Sequence, residues 1–419
     1  MKIAMVSEHA NPLGAIGGVD AGGQDAHVEA LSRALARAGH WVSVYTWRDA
    51  CLLPDRVPVA GRLTVEHVPV GPTGPVGKDD LLPYMGELGT RLGRRFAASP
   101  PDVVHSHFWM SGLAALLATR DSGIPVVQTF HSLGVTKRRF RDRRDTSPGA
   151  RIRLERALAR DVAHVIATSN EEAGDLARFG VPRDAVSIVP RGVDLDVFQP
   201  EGPTADRTQR PRIVAVGRLA PRRGFDLVIR ALAAVPAAEL VIAGGPPAAE
   251  LAGEPEARRL RQVAGRAGVA DRVTLLGAVP GADMPALLRS ADVVVCAPRY
   301  EPFGIVPLEA MACGVPVVAT AVGGIVDTVV DGSTGILVPP ERPDLLAAAV
   351  RRLLAEPFWA EAYGTAGADR ARSRYSWDRV AADTLAVYDR VLAGAAARDA
   401  VVRGPAGEPE LVPAGGLAG

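Results

Sequence analysis

The sequence has few cysteines and few lysines, and its charges almost cancel. The three cysteines, Cys51, Cys296 and Cys313, lie far apart and form no Cys-x-x-Cys pair. This argues against a disulfide framework or a zinc site and fits a reducing compartment. A formal net charge of +1 gives no global reason to expect nucleic acid or an anionic membrane as a partner. We therefore expect function to depend on local arrangements of charge.

Long apolar runs are also lacking. No uninterrupted stretch approaches the roughly 20 residues that a helix needs to cross a bilayer, and the segment ALAAVPAAELVIAGG contains Pro236 and Glu239. The start MKIAMVSEH lacks the basic region and apolar stretch of a signal peptide, so it predicts a first buried strand. These absences predict a cytoplasmic protein without membrane insertion.

Short apolar segments alternate with helix-length periodic segments along the chain. This is the pattern of α/β proteins, in which helices cover both faces of a parallel sheet. A chain of 419 residues exceeds the size at which single cores stop growing. We therefore predict two Rossmann-like, doubly wound domains that face a cleft.

Each predicted domain has its own series of strands and helices. The first series of strands is KIAMVSEH, WVSVYTW, TVEHVPV, DVVHSHF, PVVQTFH and HVIATS, and the second is RIVAVGR, ELVIAGG, RVTLLGAV, DVVVCAP, VPVVAT and TGILVP. Predicted helices lie near 25–39, 80–98, 148–160, 170–179, 224–235 and 250–267. The predicted organisation is an N-terminal acceptor-binding domain over 1–192, a linker over 193–210, a C-terminal nucleotide-sugar-binding domain over 211–375, a helix over 376–394 that packs back on the first domain, and a disordered tail over 395–419.

A glycine-rich loop follows the first strand and opens a helix. Gly22 and Gly23 lie at the helix entrance, where free N–H groups can receive an anion. A plain tight turn explains the same glycines. The spacing does not match the dinucleotide fingerprint GxGxxG, which disfavours a nicotinamide enzyme.

Two arginines follow the first strand of the second domain, in GRLAPRRGFD. Arg218 and Arg223 lie at a carboxyl strand end, where open sheets bind ligands. Two guanidinium groups suit a diphosphate and the negative charge of a departing nucleoside diphosphate. Two solvated loop arginines are the alternative.

The segment YEPFGIVPLEA is the most specific pattern in the chain. Glu301 and Glu309 flank a helix entrance, where their carboxylates can accept hydrogen bonds from sugar and ribose hydroxyls. Free N–H groups of Phe303 and Gly304 can donate to a sugar or phosphate oxygen. An acidic first turn that is favoured by the helix dipole explains Glu301 but not Glu309.

The patterns GRLxxxxG and ExFGxxxxEAMxxGxPVVAxxxGG resemble the retaining family 4 glycosyltransferases of the GT-B architecture. The resemblance implies that Glu301 contacts the hydroxyls of the donor sugar, that Glu309 contacts the ribose, and that Arg218 and Arg223 bind the diphosphate. Arg223 stands where the family has lysine. The resemblance further implies that His131, at the end of PVVQTFH, donates to the donor sugar, and that no metal or other cofactor is required.

Segments of the first domain resemble two subgroups of that family. HSHFWMSG, QTFHSLGVTKR and GGxDAGGQ are similar to segments of the sucrose-phosphate synthases and of the actinobacterial inositol-phosphate N-acetylglucosaminyltransferase of the mycothiol pathway. The latter implies that Lys78, Ser132 and Arg151 hold an acceptor phosphate. Asp25 and Phe108 also fall at acceptor positions, but they replace asparagine and tyrosine, so an unphosphorylated aminocyclitol or a natural-product acceptor stays open.

Basic residues cluster in KRRFRDRR at 137–144. Interleaved acidic residues argue against a nucleic-acid patch, and we expect a loop that closes over the acceptor, with a solvated mobile loop as the alternative. His105 and His107, on the strand before His131, are expected to pack or to support neighbouring groups.

The sequence therefore predicts a retaining hexosyltransferase. Glucose or N-acetylglucosamine would pass from a nucleotide diphosphate sugar, with UDP favoured by the resemblance, to a small polyol or phosphorylated acceptor. His131, Arg218, Arg223 and Glu301 are the predicted catalytic residues. A non-transferring nucleotide-sugar epimerase and a nucleotide-binding regulator are the alternatives, and a homodimer is compatible with the sequence.

Overall fold

The computed structural model describes residues 1–9, 23–48, 50, 52–72, 76–140 and 147–403. Two of the sequence predictions concern residues outside these ranges. Gly22 lies outside the described residues, and so do positions 141–144 of the basic cluster.

The N-terminal domain is built on an eight-stranded sheet. Its strands are β1 (Lys2–Val6), β2 (Trp41–Trp47), β3 (Arg56–Ala60), β4 (Leu63–Val68), β5 (Val103–His107), β6 (Val126–Thr129), β7 (His164–Ala167) and β8 (Val186–Ile188). Its helices are α1 (Gly23–Arg37), α2 (Met85–Ala98), α3 (Trp109–Thr119), α4 (Gly134–Phe140), α5 (Arg151–Asp161) and α6 (Asn170–Arg178). The strand order is β3-β4-β2-β1-β5-β6-β7-β8, and every pairing is parallel except that of β3 with β4.

The C-terminal domain is built on a six-stranded, wholly parallel sheet. Its strands are β9 (Arg212–Val216), β10 (Glu239–Ala243), β11 (Val273–Gly277), β12 (Val293–Cys296), β13 (Val317–Thr320) and β14 (Gly335–Val338), in the order β11-β10-β9-β12-β13-β14. Its helices are α7 (Phe225–Leu232), α8 (Pro255–Arg266), α9 (Met284–Arg289), α10 (Ile305–Ala312), α11 (Ile325–Thr328), α12 (Pro343–Ala355) and α13 (Pro357–Tyr375), after which α14 (Trp377–Arg403) ends the described chain.

Both sheets reverse their winding beside the first strand. β1 lies between β2 and β5, and β9 lies between β10 and β12. At such a switch point the loops at the carboxyl ends of the two central strands separate and leave a crevice, which is where open α/β sheets bind ligands. The loops after β1, β5, β9 and β12 lead to many of the predicted site residues, while His131 and Ser132 follow β6. The α/β prediction of two Rossmann-like domains is confirmed.

All twelve predicted strands are present, but two further strands are not covered by the sequence predictions. β3 is an edge strand that contains Pro58 and pairs only with β4, and β8 has only three residues. The helix predicted over 80–98 starts late, because Lys78–Tyr84 forms a 3-10 helix that contains Pro83 and α2 begins at Met85.

The final helix connects the end of the chain to the first domain. Val380, Val387 and Tyr388 of α14 are buried in one apolar cluster with Ile3 and Val42 of the first sheet. The helix continues to Arg403, so the prediction of a disordered tail from 395 is wrong for residues 395–403. Positions 404–419 lie outside the described residues.

The chain passes between the domains twice, and the two crossings touch. Val193, at the start of the linker, bridges Ser376, and its N–H donates to the carbonyl of Tyr375 at 2.8 Å. Elsewhere the backbone N–H and side-chain amide of Asn170 in the first domain donate to the carboxylate of Asp327 in the second, at 2.8 and 2.7 Å. In the described part of the chain, no helix has the length and hydropathy of a membrane span.

Candidate active site

Arg223 and Glu301 form the centre of the site on the second domain. Arg223 ends a short 3-10 helix after β9, and Glu301 follows β12, so the neighbouring strand ends bring them together. The guanidinium donates to the Glu301 carboxylate in a mostly buried ion pair. Gly224 makes this turn with a φ of 69°, and a side chain there would collide with the carbonyl oxygen of Ala297. The sequence pattern RRGFD thus reflects a close backbone approach.

A pair of glycines supports the loop that carries Glu301. The N–H of Gly324 donates to the carbonyl of Glu301 at 3.0 Å. A Cβ on Gly323 would collide with that same carbonyl oxygen, and one on Gly324 would collide with the carbonyl of Pro302. The glycines of AVGG therefore act on the site through packing.

The entrance of α10 leaves backbone donors available. Gly304 is its N-cap residue, with a φ of 89° and no side-chain cap, so the first-turn N–H groups lack intrahelical partners. The side chain of Phe303 is buried against Tyr375, with ring centroids 6.4 Å apart. A donor substrate can thus contact Phe303 only through its backbone N–H.

Glu309 lies on α10 beside a cavity of about 630 Å³ between the domains. Removal from water raises the pKa of its carboxyl to about 7, and Arg191 opposes that shift. The same cavity is lined by Arg191, Trp377 and residues of α1. Arg191 is the first residue here that the sequence analysis did not identify.

A second interdomain cavity, of about 370 Å³, is lined by three of the five predicted acceptor residues. Phe108, Ser132 and Arg151 line it from the first domain, together with Asp79, Thr136 and Lys137. Arg218, Arg222, Tyr300 and Pro302 line it from the second. Lys137, Arg222 and Tyr300 were missed as site residues, although Lys137 is one of only three lysines. Arg218 thus faces the acceptor residues across the cleft, while Arg223 contacts Glu301.

Arg151 is held rigidly in that cavity. Its Nε donates to Glu155 at 2.7 Å, its Nη2 donates to the carbonyl of Ser132 at 2.6 Å, and its guanidinium lies 5.1 Å from the ring centroid of Phe108. Glu155 also accepts from the N–H of Gly134 at 2.8 Å. The ion pair and these extra hydrogen bonds fix the position of the guanidinium in the cavity, where its charge can attract an anion.

Histidines surround the end of β6. His131 adopts a φ of 61°, and its Nε2 lies 3.0 Å from Nδ1 of His107. His27 of α1 meets the His131 ring edge to face, with centroids 4.9 Å apart. His105 hydrogen-bonds Tyr388 and Thr129, at 2.7 and 2.9 Å, so it links α14 to the sheet. Burial lowers the pKa of each of these four imidazoles, which are therefore neutral.

Among the described residues, one group has the spacing of a metal site. Ligand atoms of His27, His107 and His131 lie within 4.8 Å of one another. Arg191 is close enough to lower the pKa of His27 and His131 further. The same positive charge opposes a divalent cation there.

The remaining predicted positions lie at the rim of the first sheet. Gly23 begins α1, and Asp25 lies in its first turn. Lys78 begins the 3-10 helix before α2, but its side chain lies outside the described part of the structure. His27 and Arg191 had signals in the sequence, since His27 follows Asp25 on α1 and Arg191 directly follows the strand-like run SIVP.

Comparisons with known proteins agree with this architecture. Residues 21–197 match the family model described as Glycosyltransferase Family 4, and residues 202–370 match the model described as Glycosyl transferases group 1. Proteins named D-inositol 3-phosphate glycosyltransferase are similar over most of their length. The one from Xylanimonas cellulosilytica is 36% identical, covering 92% of this chain and 96% of the relative. The one from Kribbella flavida is also 36% identical, covering 92% and 95%.

Solved structures share the fold. The sucrose-phosphate synthase of Thermosynechococcus elongatus superposes with a TM-score of 0.81 and 29% identity, over 94% of this chain and 100% of that one. Anabaena HepE in complex with UDP-glucose gives a TM-score of 0.68 at 20% identity, over 92% and 100%. The two facing domains thus define an enzyme of the GT-B glycosyltransferase class. The chain belongs to glycosyltransferase family 4.

Proposed function

We propose that the enzyme transfers a hexosyl group, with retention of configuration, from a UDP-sugar to a small phosphorylated acceptor of the cyclitol or sugar class. The observation that carries the proposal is the cationic lining of the 370 Å³ cavity, with Lys137, Arg151, Arg218 and Arg222 against the carboxylate of Asp79. An ammonium and several guanidinium groups around one cavity suit a phosphate dianion. The relatives named D-inositol 3-phosphate glycosyltransferase support this acceptor class.

The donor occupies the second domain in this proposal. Glu301 accepts hydrogen bonds from hydroxyls of the transferred sugar, and Glu309 accepts from the ribose. Arg223 and the N–H groups at the start of α10 receive the diphosphate, and Arg218 approaches it from the acceptor side. The resemblance to family 4 favours UDP as the nucleotide and glucose or N-acetylglucosamine as the sugar, and HepE, which shares the fold, is solved with UDP-glucose.

Transfer takes place on one face of the sugar. The acceptor hydroxyl attacks the anomeric carbon as the diphosphate leaves, and a departing phosphate oxygen takes the hydroxyl proton. A double displacement needs a free carboxylate nucleophile. Glu301 is bound by Arg223. Glu8, a buried carboxylate in the loop after β1, is hydrogen-bonded by both His9 and Ser111. Cleft closure excludes water from the reacting groups.

Incubation with UDP-glucose and UDP-N-acetylglucosamine tests the proposal. We expect UDP release only when inositol phosphate or a hexose phosphate is present, and an NMR spectrum of the product with the anomeric configuration of the donor. Turnover with free aminocyclitols alone would contradict a phosphorylated acceptor. An isomerised nucleotide sugar would identify an epimerase, and nucleotide binding without any turnover would identify a regulator. An inverted anomer would refute retention.

A further inference from the structure

Arg191 stands at the junction of the two domains. It follows the last strand segment of the first sheet, where the N–H of Val189 still donates to the carbonyl of Ala167 at 2.9 Å. It lines the 630 Å³ cavity together with Glu309 of α10 and Trp377 of α14. Arg191 therefore lies where both domains contribute to the cavity wall.

The guanidinium of Arg191 has no partner in the described part of the structure. No hydrogen bond or ion pair within the described residues reaches it, and its Nε is wholly buried. The other two arginines of this cavity differ, because Arg33 pairs with Glu29 at 3.1 Å and Arg37 pairs with Asp378 at 2.9 Å. Burial lowers the pKa of Arg191 to about 10, which still leaves it charged at neutral pH. A buried cation without a partner is costly, so such a group is retained where a ligand supplies the anion.

The charges around Arg191 indicate which ligand that is. Its charge interacts with the carboxylates of both Glu301 and Glu309, the two residues assigned to the sugar and the ribose of the donor. The group that joins sugar to ribose is the diphosphate. Of the arginines expected to hold it, Arg223 is already paired with Glu301, and Arg218 lines the other cavity. A diphosphate beside two carboxylates needs a further cation to offset their repulsion.

We propose that Arg191 is a third diphosphate-binding residue, which donates to a phosphate oxygen of the nucleotide from the interdomain connection. The proposal rests on the function proposed above, in that it assumes a nucleoside diphosphate between Glu301 and Glu309. Arg191 thus belongs to the leaving-group site, although it precedes the second domain in the chain. Ligand binding gives a charge-assisted hydrogen bond to a buried guanidinium that otherwise has no hydrogen-bonded partner among the described residues.

Calorimetric titration of UDP and of uridine into wild type, Arg191→Met and Arg191→Lys tests this role. We expect Arg191→Met to weaken UDP binding by about tenfold to a hundredfold, as for loss of one charged hydrogen-bonding group. Uridine, which lacks the phosphates, should bind wild type and Arg191→Met with equal affinity. Arg191→Lys should retain part of the affinity because it retains the charge. Arg372→Met is the control, since Arg372 is an exposed arginine that pairs with Asp369 on α13 and lines neither cavity, and its UDP affinity should equal that of wild type.

Thermal unfolding separates ligand binding from a structural role. Because the guanidinium of Arg191 is buried without a hydrogen-bonded partner in the absence of ligand, Arg191→Met should unfold at the same temperature as wild type or higher, and UDP should raise its Tm less. A lower Tm with unchanged UDP affinity would assign Arg191 to interdomain packing and overturn the proposal. Equal losses of UDP and uridine affinity would also overturn it. If wild type binds neither UDP nor GDP, the proposed function itself fails, and the role of Arg191 fails with it.

Discussion

Arg223 donates to Glu301 across the switch point of the second sheet, so the two residues expected to bind the leaving group and the donor sugar hold each other in place. One follows β9 and the other follows β12, which are adjacent strands. Both side chains are mostly buried, with exposed fractions of 20% and 11%. The donor site is thus partly assembled before the donor arrives, which lowers the entropy lost on binding.

Arg223→Met should therefore impair catalysis more than folding. Loss of one pre-organised donor to a developing anion typically reduces kcat by about a hundredfold to a thousandfold, and we expect a reduction of that size in steady-state assays with UDP-sugar. Glu301→Gln should reduce kcat/KM. The double variant should reduce kcat/KM by less than the product of the two single fold-reductions, because the two residues act as a pair. Arg372→Met, which breaks the exposed pair with Asp369 on α13, should have wild-type rates. Wild-type kcat in Arg223→Met would refute the assigned role.

Donor affinity should depend on the ionisation of Glu309. Its pKa is raised to about 7, so the carboxyl gains a proton as the pH falls through that value and loses acceptor capacity for ribose hydroxyls. Below pH 7 we expect the Kd for UDP-glucose to rise by about tenfold per pH unit, because binding must then expel the proton. UDP-glucose is the suitable probe, since its diphosphate diester does not titrate in this range.

Glu309→Gln should remove that pH dependence and bind UDP-glucose weakly throughout. Between pH 4.5 and 7 the carboxyl of Glu309 is protonated in the folded state but ionised in the unfolded state. Its contribution to the free energy of unfolding therefore falls as the pH rises through this range. Ligand-free Glu309→Gln should consequently melt above wild type at pH 8 and level with it near pH 4. A wild-type Kd that is constant from pH 6 to 8 would contradict the ionisation.

Arg151 combines a structural contact with a predicted acceptor contact, and the two can be separated. Arg151→Met leaves Glu155 as a buried, unpaired carboxylate, which typically destabilises a protein by about 3–5 kcal/mol. The double variant Arg151→Met with Glu155→Gln should recover most of that stability, since the introduced amide oxygen can still accept from the N–H of Gly134. We expect its KM for a phosphorylated acceptor to stay at least about tenfold above wild type, as for loss of a charged hydrogen bond. Recovery of both stability and KM would show that Arg151 does not bind the phosphate.

Tyr388→Phe probes the attachment of the final helix. The hydroxyl is hydrogen-bonded to buried His105, so its removal should lower the free energy of unfolding by about 1 kcal/mol in urea titrations. UDP affinity should not change, because the Tyr388 hydroxyl contacts His105, whose ring reaches His131 only through His107. A loss of UDP affinity as large as that expected for Arg191→Met would show that the helix shapes the donor site.

Transfer should need no metal ion. The three histidines with metal-site spacing lie beside Arg191, whose charge opposes a divalent cation. We expect initial rates to stay within about twofold after dialysis against EDTA, a change smaller than the loss of any single charged contact. Loss of activity with EDTA that Mg²⁺, Mn²⁺ or Zn²⁺ restores would contradict this expectation.

The sequence predicted the parallel sheets well because their strands are short, continuous apolar runs between helix-length segments. VVVCAP and ELVIAGG are buried on both faces, and that burial is visible in composition alone. β3 was missed because it is an edge strand. It contains Pro58 and its residues are partly exposed, so it lacks the continuous apolar run that identifies a buried strand.

The site was predictable where it depends on one strand end and unpredictable where it depends on the packing of two domains. Arg223 and Glu301 follow strands of the same sheet. Arg191 and His27 come from different parts of the first domain. Only the packing of α1, the interdomain connection and α10 brings Arg191 to one cavity wall with Glu309 and places His27 near it. The spacing of these residues along the chain does not predict that they lie close together.

The contact between Val193 and Ser376 has a mechanical consequence. Because both chain crossings run side by side, we expect the domains to move relative to each other by rotation about this connection. Displacement grows with distance from a rotation axis, so Arg191, two residues from Val193, hardly moves as the domains rotate. Arg218 and Arg151, on opposite walls of the other cavity, lie further out and sweep a longer arc. The nucleotide end of the cleft can thus stay gripped while the acceptor end opens to exchange its contents.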